Sequence, residues 1–112
     1  MRVFDKAETL IDYTITMTDN IKRYPKKRKF SFVNRMQSIA LDTYEYLSNA
    51  NEVPLSERRD LQVKALGKIN LLLFFIKYSL KKGFISKRQC ELWTKKALDV
   101  KYLTAAWMKK SK

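Results

Sequence analysis

The sequence predicts an all-α protein, an antiparallel up-down-up-down four-helix bundle. Three observations carry that expectation. Four stretches place apolar residues three and four apart, the spacing that keeps a stripe on one face of a helix. Only two glycines and two prolines interrupt 112 residues, so the chain has few breaks. No segment alternates apolar and polar residues with the period of a strand. At this length, with 46% apolar residues, one domain over residues 1–112 is expected, with enough apolar mass to bury a core.

The first helix is predicted at about Phe4–Arg23. Val3, Ala7, Leu10, Thr14, Met17, Ile21 and Tyr24 form its seam, widened by Phe4 and Ile11. Asp5, Glu8 and Asp12 early in the helix, and Lys22 and Arg23 late, suit the helix dipole. Thr9, Thr14, Thr16 and Thr18 lower its intrinsic propensity, so tertiary packing must hold it. Pro25 fixes its own φ and pushes Tyr24 out of the helical region, which ends the helix there.

The second helix is predicted at about Phe32–Asn49, with Ser31 as its N-cap and with Phe30 and either Met36 or Arg35 helping to set the angle of approach. Its seam is Val33, Met36, Ala40, Thr43, Leu47 and Ala50; Phe32, Ile39, Tyr44 and Tyr46 fall beside it. Residues 48–54, Ser-Asn-Ala-Asn-Glu-Val-Pro, read as a connection. The third helix follows at about Glu57–Lys82, capped by Ser56, with Leu61, Ala65, Ile69, Leu72, Ile76 and Leu80 as its seam. Leu71, Leu73, Phe74 and Phe75 make it apolar nearly all round, which predicts a central position or self-association. Gly83 is the expected C-terminal cap, and Ser86 with Gln89 has the spacing of a capping box. The fourth helix is predicted at about Lys87–Lys109, with Trp93, Ala97, Val100, Thr104 and Trp107 as its seam and a frayed end over Lys109–Lys112.

Several function classes are disfavoured by composition. There is no histidine, which removes His-based triads, Cys–His pairs and most zinc sites. The acids are scattered singly and no Glu-x-x-His pair exists for a di-iron bundle site. Gly67 and Gly83 are too few and too far apart for a phosphate-binding glycine loop. No catalytic activity and no cofactor or metal are expected. Cys90 is the only cysteine, which fits a core position and a reducing cytoplasm. Residues 1–21 lack the apolar block of an export signal, and Ile69–Ile76 is too short to span a bilayer, so no membrane association is expected.

The positive signal is charge. Lys plus Arg number 24 against 11 acids, a formal net charge of +13. Residues 22–35 hold Lys22, Arg23, Lys26, Lys27, Arg28, Lys29 and Arg35 with no acid. Residues 77–88 hold Lys77, Lys81, Lys82, Lys87 and Arg88, again with no acid. In the predicted topology both segments lie at one pole, which concentrates nearly the whole excess there and predicts a polyanion-binding end. Tyr24, Phe30, Phe32 and Phe84 interleave these cations, where they either cap the core or stack on unpaired bases. Lys77 and Lys101 each sit in a largely apolar run, which suits a groove or a subunit seam.

The order of features carries a resemblance. The turn Tyr24-Pro25-Lys26 through Phe30-Ser31, the helix ending Leu47-Ser48-Asn49-Ala50-Asn51 and the leucine-rich third helix come first. The turn Gly83-Phe84-Ile85-Ser86 with Gln89, and the ending Leu103-Thr104-Ala105-Ala106-Trp107-Met108, complete the set. Over about residues 4–110 the chain resembles the accessory variability proteins of diversity-generating retroelements. That family is related to the four-helix-bundle proteins encoded in intervening sequences of bacterial large-subunit ribosomal RNA genes. The resemblance implies a basic bundle that assembles as a homopentamer and binds a reverse transcriptase together with template RNA or cDNA. It would support mutagenic copying without being a catalyst. Lys77 and Lys101 resemble basic residues of the family's third and fourth helices. The chain departs from the family at Ala105 or Ala106, before Trp107, where glycine is frequent. Two other readings stand beside this one: a free-standing RNA-binding bundle of the ribosomal intervening-sequence type, and a purely structural oligomer whose charge serves solubility.

Overall fold

The computed structural model describes residues 1–20 and 22–111. Four helices, α1 (Arg2–Thr18), α2 (Asn34–Glu52), α3 (Leu55–Lys81) and α4 (Lys87–Lys110), form an antiparallel up-down-up-down bundle. Each packs on its chain neighbours, and α1 also packs on α4, which closes the square. Among the described residues no helix is long and apolar enough to cross a membrane. At a rise of about 1.5 Å per residue, α3 spans roughly 40 Å, nearly the whole 45 Å long axis. The two poles are therefore well separated, and a residue's position along its helix decides which pole it serves.

The core is the meeting of the four seams. Val3, Ala7, Leu10, Thr14 and Met17 of α1 are buried, as are Met36, Ala40, Thr43, Leu47 and Ala50 of α2. Trp93, Ala97, Val100 and Thr104 do the same for α4. Ile39, expected beside the seam, is fully buried. In α3 the buried set is Gln62, Ala65, Ile69, Leu72, Ile76 and Ser79, so the expected end positions Leu61 and Leu80 are wrong. A strict three–four alternation outward from Leu72 lands on the two polar residues and leaves Leu80 exposed. The buried polar groups are mostly bonded. Trp93 Nε1 donates to Thr14 Oγ1 at 3.0 Å, which ties α4 to α1. Thr18, Thr43 and Thr104 donate to carbonyls one turn back.

Several boundaries differ from expectation. α1 stops at Thr18 rather than Arg23. Asn20 Oδ1 accepts from the Lys22 amide at 2.9 Å, and the Asn20 carbonyl accepts from the Arg23 and Tyr24 amides. That separate turn competes with continued helix. Ile21, an expected seam residue, lies outside the described residues. Ser31 does not cap α2. The Pro25 carbonyl accepts from the Arg28 amide at 2.8 Å, so the chain is helical from Lys26, through a 3-10 turn and a wide π turn at Lys29–Val33. Phe30 consequently faces solvent, 83% exposed, and does not set the approach of α2.

Residues 48–54 are not all connection. Ala50 stays in the core, α2 runs on to Glu52, and only Val53 and Pro54 join it to α3. Arg58 reaches back to finish α2, with Nε donating to the Ala50 carbonyl at 2.9 Å. Its guanidinium also lies 5.6 Å from the Trp107 ring centre. α3 begins at Leu55, after Pro54, and Ser56 makes no cap bond. α3 is not central either: it packs on α2 and α4 and keeps an outer face with Val63 and Phe74 exposed. At the C-terminus Ser111 closes α4, its amide donating to the Trp107 carbonyl at 3.0 Å; Lys112 lies outside the described residues.

Candidate nucleic-acid interface

The α3–α4 turn is fixed by local chemistry. Gly83 takes φ +78°, the left-handed region glycine enters without steric cost. The Phe84 amide donates to the Ser79 carbonyl at 2.9 Å and the Gly83 amide to the Leu80 carbonyl at 3.0 Å. This paired pattern is the Schellman stop. Three residues on, the Gln89 amide donates to Ser86 Oγ at 3.1 Å and the Ser86 amide donates to Gln89 Oε1 at 2.8 Å. The capping box read from the sequence is thus formed.

The α1–α2 segment docks onto this turn through aromatic residues. Tyr24 is 2% exposed, and its hydroxyl donates to Ser79 Oγ at 2.7 Å. Ser79 in turn donates to the Phe75 carbonyl at 2.8 Å. Burial pushes the Tyr24 phenol up to about 12, against the opposing pull of the Ser79 bond and of Arg23. The Tyr24 and Phe84 rings lie 5.1 Å apart, and Phe32 lies 6.0 Å from Phe84. The two basic segments, some fifty residues apart in sequence, therefore share one pole. Tyr13 feels both: burial raises its pKa, while Arg23 from the first segment and Arg88 from the second pull it down.

At that pole Lys22, Lys26, Lys27, Lys29, Arg35, Lys77, Lys81, Lys82, Lys87 and Arg88 are all exposed. Among the described residues the ion pairs are Lys6–Asp99, Lys95–Asp99 and Lys68–Asp42, and none involves a candidate cation. Ten cations so placed make a field that attracts polyanions. Three candidates are used differently. Arg23 is half-buried, and its Nη1 donates to the Met17 carbonyl at 3.1 Å, so it closes the end of α1. Arg28 is half-buried and its Nε is walled off without a hydrogen-bond partner among the described residues. Lys101 is half-buried on α4, roughly 21 Å along the helix from Lys87, and does not join the pole.

Of the four interleaved aromatics, Tyr24 is buried in the core, and Phe32 and Phe84 are half-buried against it. Phe30 alone stands free. A second set of rings was not foreseen. Tyr78 stacks on Phe32 at 5.4 Å and 13°, and Phe74 stacks on Tyr78 at 5.8 Å and 21°. Lys82 Nζ lies 6.0 Å from the centre of the Tyr78 ring. The pattern Phe74-x-x-Lys77-Tyr78-x-x-Lys81 is the sequence signal, since three- and four-residue steps place all four on one helical face. The apolar character of the third helix concealed it. Among the described residues, no group of three or more acids and thiols is placed to hold a metal ion.

Comparison with family models, with curated protein sequences and with solved structures found no match to this chain.

Proposed function

We propose that this chain is a non-catalytic nucleic-acid-binding accessory subunit of a diversity-generating retroelement reverse transcriptase. In that role it supports mutagenic cDNA synthesis from template RNA. The nucleic-acid part is carried by one observation: two acid-free basic segments meet at one pole, with ten exposed cations that form no ion pair among the described residues. Contacts of this kind supply affinity and salt dependence with little sequence choice. The retroelement part rests on the sequence resemblance, which also supplies the polymerase partner, the homopentamer and a bacterial cytoplasm. The outward apolar positions of α3 support self-association, because Val63 is left half exposed among the described residues.

Light scattering with and without a structured RNA, at low and high salt, tests both parts. The proposal expects a particle about five times the 13.3 kDa chain that takes up RNA at low salt and releases it at high salt. Retention of the reverse transcriptase on the immobilised protein then separates the retroelement role from a free-standing RNA-binding bundle. A monomer indifferent to RNA at both salt concentrations would leave only a helical bundle and overturn the reading.

A further inference from the structure

We infer that the outer face of α3 at the basic pole is a stacking platform for unpaired bases, so that the nucleic acid held there is single-stranded. This inference rests on the polyanion-binding reading of the pole and adds the kind of strand it takes.

The stack Phe32–Tyr78–Phe74 is a ladder of near-parallel rings that runs from the core to the surface. Its inner member is half-buried, while its outer member, Phe74, is 56% exposed. The ladder is held at its side as well, because Phe75 meets Phe74 edge-on at 5.7 Å and 70°. The Phe74 ring is thus supported from within and still offers surface to solvent. An aromatic ring fixed in this way loses little conformational freedom when a flat partner arrives.

The surroundings select the partner. Phe74, Lys77, Tyr78 and Lys81 line one shallow surface groove. Lys77 and Lys81 are a helical turn apart and exposed, with no ion pair among the described residues. A planar face flanked by free ammonium groups suits a base with its phosphates. In a duplex the bases already stack on one another and present edges, so a fixed surface ring has no base face to meet. A second copy docking by two-fold symmetry through the same patch would set Lys77 and Lys81 against their own equivalents, a like-charge clash, and the ring contacts of a homopentamer do not pair a patch with itself. A membrane-lying helix needs a broad exposed apolar face, whereas here the apolar ring is bracketed by lysines.

The test compares a fluorescein-labelled 15-nucleotide oligo(U) with a labelled 15-base-pair duplex by anisotropy, using wild type, Phe74→Ala and Phe74→Trp. Phe74 is exposed, so Phe74→Ala is expected to keep the wild-type circular dichroism spectrum and melting temperature to within a few degrees. The platform predicts a loss of about 5- to 100-fold for oligo(U) and less than about 2-fold for the duplex. The salt slope stays unchanged, because no charge is removed. Phe74→Trp keeps the affinity for oligo(U), and its added indole emission is quenched on binding. Equal losses for both probes, or no loss for oligo(U), would overturn the platform while leaving the basic pole intact. Wild type that binds neither probe would overturn the pole and the platform together. A Phe74→Ala effect on particle mass alone, with oligo(U) affinity unchanged, would assign the patch to self-association instead.

Discussion

Replacing Lys26, Lys27 and Lys29 together with glutamine removes three exposed cations at the centre of the first basic segment. Arg28 is left in place because its half-buried Nε makes its loss a packing change as well as a charge change. None of the three lysines pairs with an acid among the described residues, so the fold should not weaken. Relief of like-charge repulsion would, if anything, raise the melting temperature slightly. Each phosphate contact contributes about 0.7 to the salt slope for single strands and about 0.9 for duplex, so the slope should fall by roughly 2–3. Between about 50 and 200 mM salt, wild type should then lose roughly 20- to 40-fold more affinity than the variant. Anisotropy of a labelled structured RNA across a salt series reads the slope directly, and circular dichroism checks the fold. An unchanged slope would refute the placement of phosphates at this segment. A collapse of the fold would refute the claim that these lysines do no structural work.

Three further predictions concern what joins the two turns and what burdens the core. Ser79→Ala strands the buried Tyr24 hydroxyl and should cost about 1–3 kcal/mol in urea unfolding. Adding Tyr24→Phe should recover part of that loss, with a coupling near 1 kcal/mol in a double-mutant cycle. The Tyr24 phenol titrates at about 12 in the folded protein against about 10 unfolded, and its neutral form is the one the fold favours. Its contribution is therefore complete below pH 10 and is lost as pH rises from 10 to 12, a change on the order of 2–3 kcal/mol. Tyr24→Phe should be less stable than wild type at pH 8, and the gap should close by pH 12. The two proteins are otherwise identical, so pH effects common to both cancel in the comparison. Gln62 is 1% exposed, and its Nε2 has no hydrogen-bond partner among the described residues. Gln62→Met, close in shape, should leave stability unchanged or raise it by about 1 kcal/mol, and a loss larger than that would reveal an unseen partner.

Much of the fold was legible because its signals were local and mutually consistent. Gly83, Ser86 and Gln89 mark the α3–α4 turn by residue type alone, and the backbone there forms the bonds those residues favour. The seams of α1, α2 and α4 emerged because apolar spacing and burial coincide. The misreadings arose where two local rules competed. Ser31 and Ser56 looked like caps, but Pro25 and Pro54 start their turns earlier and leave both serines inside helical backbone. Asn20 ended α1 through its own side chain, although the apolar spacing ran on to Tyr24. In α3 the apolar residues outnumber the core positions, so the choice of Leu61 and Leu80 over Gln62 and Ser79 followed hydrophobicity where geometry followed the heptad. The same surplus hid Phe74 and Tyr78.

The candidate site divides in the same way. That the two basic segments share a pole followed from topology, and the Tyr24–Ser79 bond is its structural expression. Which cations are available did not follow, because it depends on side-chain partners. Arg23 looks like any other cation of its run until the Met17 carbonyl is seen to hold it. Lys101 looks equivalent to Lys77 until their positions along antiparallel helices are compared.

The proposed site of nucleic-acid contact is this one pole. Backbone amide chemical shifts of the isotope-labelled protein, followed as a structured RNA is added, test it most directly. Binding at this pole shifts residues 22–35 and 74–88 and leaves the far pole around Val53, Pro54 and Trp107 undisturbed. Shifts centred on the far pole, or spread evenly over the bundle, would contradict it.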